Sequence, residues 1–432
     1  MKADNKILAI TILSLLILLS EMSFGQEPSY TVDALVSPKI PGRTISVGDA
    51  SSDINGFDNN AIQYAVDALG NTGGTVMLSA GEFEINAPVR MHSNVQLTGV
   101  GKETVMKKSK GVQTDYIVDA DYGELKLTVR NPDGFLPGMK IQVTDSDNNG
   151  CWNVSTAYIT EIIDNVIYID DYLIRDYHAD RDGKISNASS IIEIIEAENV
   201  IVKNLLVDGN KDNNFRMDGC NGSGVYVFKS KNVTIDQVTV RNFNGEGISW
   251  QITENVTVRN SEISGSGNIG LHPGTGSPLT RIENNDVHDN AVDGLFICWR
   301  VHHSRVTGNK FYNNGRYGIC TGHKDSDVLF EGNHVYHNGS DGINLRGELG
   351  KNAPHRNSFI KNIIEDNGTK EGGYGMSFNS PAENITITQN IIRDTGPGTQ
   401  KAGLYFYKNA LPVNMEDNEI TGHALGDVVH EE

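Results

Sequence analysis

The chain has 432 residues and a formal net charge of −19, enough length for one large domain or two ordinary ones. That acidic balance excludes the clustered Lys and Arg with which proteins hold nucleic acid. Its 46 glycines point to many tight turns rather than a helical chain.

Two lysines within Met1 to Lys6, an apolar run from Ile7 to Leu19 and the small residues of Ser23-Phe24-Gly25 read as an export signal over 1–25. The run is short for a membrane span. The expectation is a secreted or periplasmic protein, with no membrane insertion once the signal is removed. Residues 26–101 read as an N-terminal cap and first coil. Asp58 to Leu69 is amphipathic, with Asp58 or Asn59 as N-cap, and Thr75-Val76-Met77-Leu78 follows Gly73-Gly74 as a strand. A helix there covers the open end of a repeat core. Residues 102–196 break the later period and read as a β-rich insertion, with strands at Leu125–Val129, Lys140–Val143, Tyr158–Ile162 and Val166–Ile169.

From 197 to 432 the chain repeats. Gly224, Gly247, Gly270, Gly294, Gly318 and Gly342, each before an aliphatic residue, are spaced 23, 23, 24, 24 and 24 apart. Gly375 and Gly403 continue the row after gaps of 33 and 28, which places insertions at Gly347–Arg356 and around Gly396–Lys401. A second column, Asn285, Asn309, Asn333, Asn362, Asn390 and Asn418, keeps step. Stacked coils put these amides one above another, each able to bond the next. The pattern predicts an all-β solenoid, a parallel β-helix.

The stretch Val47-Gly48-Asp49, Asp58-Asn59-Asn60-Ala61-Ile62-Gln63, Gly73-Gly74-Thr75-Val76 and Asn94 to Gly101 resembles the opening module of the pectate-lyase-like superfamily. The coils from Asn199 resemble the repeats of the same superfamily. The resemblance implies a right-handed β-helix and, in most members, work on polysaccharides. It does not fix the reaction, because lyases, hydrolases, epimerases and phage tailspikes share the scaffold. Mannuronan C5-epimerases in this superfamily carry Gly-Phe-Asp-Pro-His-Glu. The matching stretch here is Gly270-Leu271-His272-Pro273-Gly274, and the epimerase carboxylates fall on His272 and Cys298. The polygalacturonase set is absent as well; Gly322-His323-Lys324 matches only a fragment of it.

In each repeat strand the residue after glycine points inward and the next outward. One outward column is then Tyr226, Ser249, His272, Phe296, Cys320, Asn344, Ser377, Tyr405. The other is Phe228, Gln251, Gly274, Cys298, Gly322, Arg346, Asn379, Tyr407. Neither holds an Asp or Glu, whereas a glycoside hydrolase needs a carboxyl pair. The columns and the loops after them instead offer His272, His323, Lys324 and Arg346 as catalytic candidates. Trp299, Arg300, Asn344, Glu348, Tyr405 and Tyr407 are the candidates for binding substrate. Cations neutralise a uronate carboxylate and acidify its C5 proton. A histidine removes that proton, and a second His, or a Tyr such as Tyr226 or Tyr405, protonates the departing oxygen.

These residues predict β-elimination on a uronic-acid-containing poly- or oligosaccharide. It is a lyase reaction if the leaving oxygen is glycosidic and a dehydratase reaction if it is a free hydroxyl. The alternatives are a hydrolase using Asp325 or Glu348 and a non-catalytic glycan-binding β-helix. Asp293 and Asp341 read as turn formers. No cofactor and no metal site is expected; Asp208 to Asp212 offers oxygens suited to Ca2+ but lacks a Glu at the proper spacing. Cys151, Cys220, Cys298 and Cys320 make no metal spacing and read as small packing residues.

Overall fold

A computed structural model describes residues 38–369 and 372–431; the expected signal segment 1–25 lies outside them. Among the described residues the strands form sheets of 22, 11 and 6 strands. The two large sheets are parallel and wrap one cylinder, a right-handed β-helix. The eleven-stranded sheet takes one strand from each coil, among them Val225–Phe228, Ile248–Gln251, Leu271–Gly274, Leu295–Phe296, Ile319–Thr321, Ile343–Leu345, Tyr374–Phe378 and Ala402–Phe406. The repeat glycine precedes the strand's first inward residue. At Gly270 a Cβ would lie 2.7 Å from Val287 and 2.8 Å from the Gly294 carbonyl, so the stacked chain leaves no room for a side chain.

The inward residues Val225, Ile248, Leu271, Leu295, Ile319, Ile343, Met376 and Leu404 are fully buried. Each such side chain contributes about 1.5–3 kcal/mol of transfer free energy. The twenty-two-stranded sheet closes the remaining sides. Its strands are long in the early coils, as in Lys231–Arg241, and later break in two, as in Arg281–Glu283 and Asp286–His288. Asn284 makes the break with φ 55°, a conformation asparagine tolerates better than most residues. The next residue belongs to the expected amide column. Asn285, Asn309, Asn333, Asn362 and Asn390 each pass an Nδ2–H to the Oδ1 of the next member at 2.9 Å, the last acceptor being Asn418.

The helix Asn59–Leu69 is capped by Asp58, whose carboxylate accepts from the Ala61 N–H at 2.8 Å. It closes the core end with Ile62, Ala65, Val66 and Leu69. The six-stranded antiparallel sheet runs from Gln113–Asp115 to Lys184–Ser186 and has its own core, including Tyr116, Leu127, Ile141 and Ile185. Thr104–Lys108 and Ile192–Ile195 fall within the 102–196 assigned to the insertion, yet both pair with the cylinder. The period breaks before the coil does.

Candidate active site on the eleven-stranded sheet

The register confirms one outward row: Tyr226 beside Ser249, Ser249 beside His272, then Phe296, Cys320, Asn344, Ser377 and Tyr405. It also extends the row where the insertion hid the period. Glu193 pairs beside Tyr226, and Arg90 beside Glu193. A carboxylate therefore does stand in this row, one coil before the sequence register began. It is buried, ion-paired to Lys140 at 2.7 Å and bonded by the Tyr158 hydroxyl. That end of the face is sealed by the six-stranded sheet, with a cavity of about 400 Å³ beside it lined by Trp152, Tyr158, Tyr172, Tyr226 and Phe228.

The open outer face expected for His272 is not open. The loop Met217–Gly222 folds over this part of the sheet, held by Ser249 Oγ donating to the Gly219 carbonyl and by the Tyr226 hydroxyl donating to the Cys220 carbonyl, both 2.6 Å. Gly219 is required by contact: a Cβ there would sit 2.6 Å from His272 Nδ1. His272 is 5% exposed, and neither ring nitrogen has a hydrogen-bond partner among the described residues. Glu246 Oε1 lies 3.8 Å from Nδ1, beyond hydrogen-bond reach. Burial pushes the ring down to about 4, so His272 is neutral near pH 7. The same cover removes Tyr226 as a proton donor, since burial raises its hydroxyl well above the usual range.

Two coils on, the surroundings change. His323 Nδ1 lies 3.0 Å from Glu348 Oε2, with side chains 19% and 20% exposed. The indole of Trp299 lies 4.9 Å from the His323 ring, centre to centre, and Trp299 is 51% exposed. A carboxylate on Nδ1 favours the tautomer with its proton there, leaving Nε2 as an acceptor. Arg300 and Lys324 occupy matching left-handed turn positions, φ 63° and 59°, on successive coils, and both are exposed.

Arg346 lies over the Phe296 ring at 4.4 Å and donates from Nη1 to the Ile297 carbonyl at 2.9 Å. Its Nη2 is 3.5 Å from Asp325 but makes no hydrogen bond among the described residues. Asp325 itself is fully buried and accepts the N–H groups of Gly322 and Val301 at 2.8 and 3.1 Å. It shapes the loop and does not face a substrate. This corrects its place as a hydrolytic carboxylate.

The far flank of the same sheet is acidic and aromatic. Asp341 accepts from Ser377 Oγ at 2.6 Å, from the Tyr374 N–H at 3.0 Å and from Asn344 Nδ2 at 3.4 Å, and burial raises its pKa. Asp293 spends both oxygens on Arg316, at 2.8 and 2.6 Å. Tyr405 stacks on Tyr374 at 4.1 Å and meets Tyr407 edge-on at 4.9 Å. The structure thus brings Trp299, His323 and Glu348 together. It places Arg346 and Asn344 on the sheet beside them and Tyr405 and Tyr407 farther along. His272 stands apart, two coils or about 10 Å from His323. The sequence pattern did not single out the Met217–Gly222 cover, because nothing in its own residues states what it lies against.

The residues 45–272 match the family model for rhamnogalacturonase A/epimerase, pectate lyase-like proteins. Residues 190–359 and 326–431 match that for the right handed beta helix region. No curated protein matches the sequence. Among solved structures, the A-module of Azotobacter vinelandii mannuronan C-5 epimerase AlgE6 is similar, at 17% identity over 87% of this chain and 96% of that one, with a TM-score of 0.53. The polygalacturonase from Erwinia carotovora ssp. carotovora gives 14% identity, 92% and 99% coverage and a TM-score of 0.53. A hyperthermoactive exopolygalacturonase from Thermotoga maritima gives 14%, 93% and 93%, and 0.51. At such identities the likeness is one of fold.

Proposed function

Since the chain belongs to the pectate-lyase-like family of right-handed β-helix proteins, we propose that it is an exported carbohydrate-active enzyme. On this reading it acts by β-elimination on uronic-acid-containing poly- or oligosaccharides. The observation that carries the reading is the His323–Glu348 pair, roofed by Trp299 and set beside the Arg346 guanidinium, which is ion-paired to the buried Asp325. A ring stacks on Trp299, and its carboxylate is held by the exposed Arg300 and Lys324 at the rim, with the mostly buried Arg346 adding positive charge from beneath. Neutralising that carboxylate stabilises the enolate formed as the C5 proton leaves. His323 Nε2 removes the proton, and Glu348 stabilises the imidazolium. The electrons form the C4–C5 double bond and expel the C4 oxygen, which Lys324 protonates. A glycosidic oxygen makes the enzyme a lyase, a free hydroxyl on a terminal sugar a dehydratase.

Tyr405 and Tyr407 stand three coils beyond His323, about 15 Å, too far to protonate the same sugar, so they act in substrate binding. His323→Ala lowers kcat/KM by about 10²–10⁴-fold, and Glu348→Gln by about tenfold, because the neutral amide holds the ring but not its charge. Full activity in both variants would remove the pair from the mechanism.

The similar polygalacturonase folds keep hydrolysis as a second reading, and Asp341 supports it: a buried carboxyl with a raised pKa is a ready general acid. Asp293, locked on Arg316, is a poor second carboxylate for it. New reducing ends without an unsaturated product, abolished in Asp341→Asn but not in His323→Ala, would establish hydrolysis instead.

A further inference from the structure

The loop that covers His272 also carries Cys220, and Cys151 opens the short turn Cys151–Asn153 at the edge of the six-stranded sheet. Cys151 Sγ, Cys220 Sγ and a carboxylate oxygen of Asp218 all lie within 4.8 Å of one another. The surrounding chain holds both cysteines in place. Asn221 Nδ2 donates to the Cys151 carbonyl at 2.6 Å, and the Cys220 N–H donates to Asp218 Oδ1 at 2.9 Å. Cys151 has φ 47°, a left-handed conformation that a side chain adopts at a cost. We propose that Cys151 and Cys220 form a disulfide that ties the β-rich insertion to the loop lying over the sheet.

A metal fits the cluster less well. Three side chains fall one short of the closed tetrahedron of a structural zinc site. A disulfide needs no fourth ligand and no thiolate, and leaves Asp218 as the one charged group of the three. The two thiols also differ as exchange chemistry needs. Cys151 is exposed, and its contact with Cys220 lowers its pKa; Cys220 is buried, and that contact, burial and Asp218 all raise its own. The Cys151 thiolate attacks one sulfur of a small disulfide such as oxidised glutathione and releases one reduced thiol. Cys220 then attacks the Cys151 sulfur of the mixed disulfide. The second glutathione leaves with the Cys220 proton, so two protein thiols are oxidised and one glutathione disulfide is reduced.

The test is independent of any activity. The full chain is equilibrated with oxidised glutathione, alkylated without reduction, digested and mapped by mass. The expected result is one peptide pair joined through Cys151 and Cys220, lighter by two hydrogens, with Cys298 and Cys320 alkylated. Melting should then show the oxidised protein losing roughly 5 °C on reduction. Cys151→Ser abolishes that difference and Cys298→Ser keeps it; the exposed Cys151 is the variant of choice because Cys220→Ser risks misfolding. Alkylation of both Cys151 and Cys220 after oxidation, or one equivalent of bound zinc that a chelator releases with those thiols, would overturn the proposal.

Discussion

His272 and His323 are the same residue type on coils two apart, and their neighbours give them different uses. His323 has a carboxylate on one nitrogen and solvent near the other. His272 has no hydrogen-bond partner on either among the described residues and is closed in by Gly219 and Phe296. Its depressed pKa has a consequence for stability. The folded state resists protonation until about pH 4, while the unfolded chain binds the proton from 6.5 downward. The unfolded state therefore holds more protons between those values, and stability falls as pH drops through that window. The loss from this residue is about 3 kcal/mol between neutral pH and pH 4. Glu246 beside it has a raised pKa and acts in the opposite sense, its contribution fading as pH rises. Urea unfolding of the wild type and His272→Gln at several pH values isolates the histidine term: the variant should lack that acid loss. Parallel curves for the two proteins would mean that the ring is protonated freely in the folded state. None of this was legible in the sequence, where His272 stood in a repeat strand and His323 just after one, and both read as candidate bases.

The amide columns show the reverse. The spacing of Asn285 through Asn418 predicted stacked side chains bonding coil to coil, and each bond is present. A second ladder, Asn290, Asn314, Asn338 and Asn367 ending on Gln400, runs beside it and closes on a Gln rather than an Asn. An amide inside the ladder makes four hydrogen bonds. Asn333 accepts the Asn309 N–H and Nδ2, and donates to the Val306 carbonyl and to Asn362. Asn333→Ala leaves these groups buried without partners, at a cost of about 3 kcal/mol, measurable as a lower urea midpoint; a change under 0.5 kcal/mol would show that water replaces the amide. The row of glycines fixed the strand register for the same reason as the ladders: identical coils stack, so local residue type is decisive. The insertion and the Met217–Gly222 loop belong to single coils. Their positions depend on distant contacts such as Lys140 with Glu193 and Gly219 with His272, which no repeat records.

At the scale of the whole molecule, a chain of net charge −19 concentrates Arg300, Lys324 and Arg346 after three successive strands in the middle of one sheet, beside a paired histidine and an exposed tryptophan. That arrangement suits an anionic sugar and the removal of a proton from it. The sealed end near Glu193 and the tyrosines near Asp341 bound the face on either side. The most direct test is to incubate the protein with a panel of uronic-acid-containing oligosaccharides and follow ultraviolet absorbance and product mass together. The proposed elimination predicts an absorbing unsaturated uronate. Its mass shows either cleavage without addition of water or the loss of one water from an intact chain, and the signal disappears in His323→Ala. Products that gain a water on cleavage without absorbing would contradict elimination, as would an absorbing product that persists in that variant.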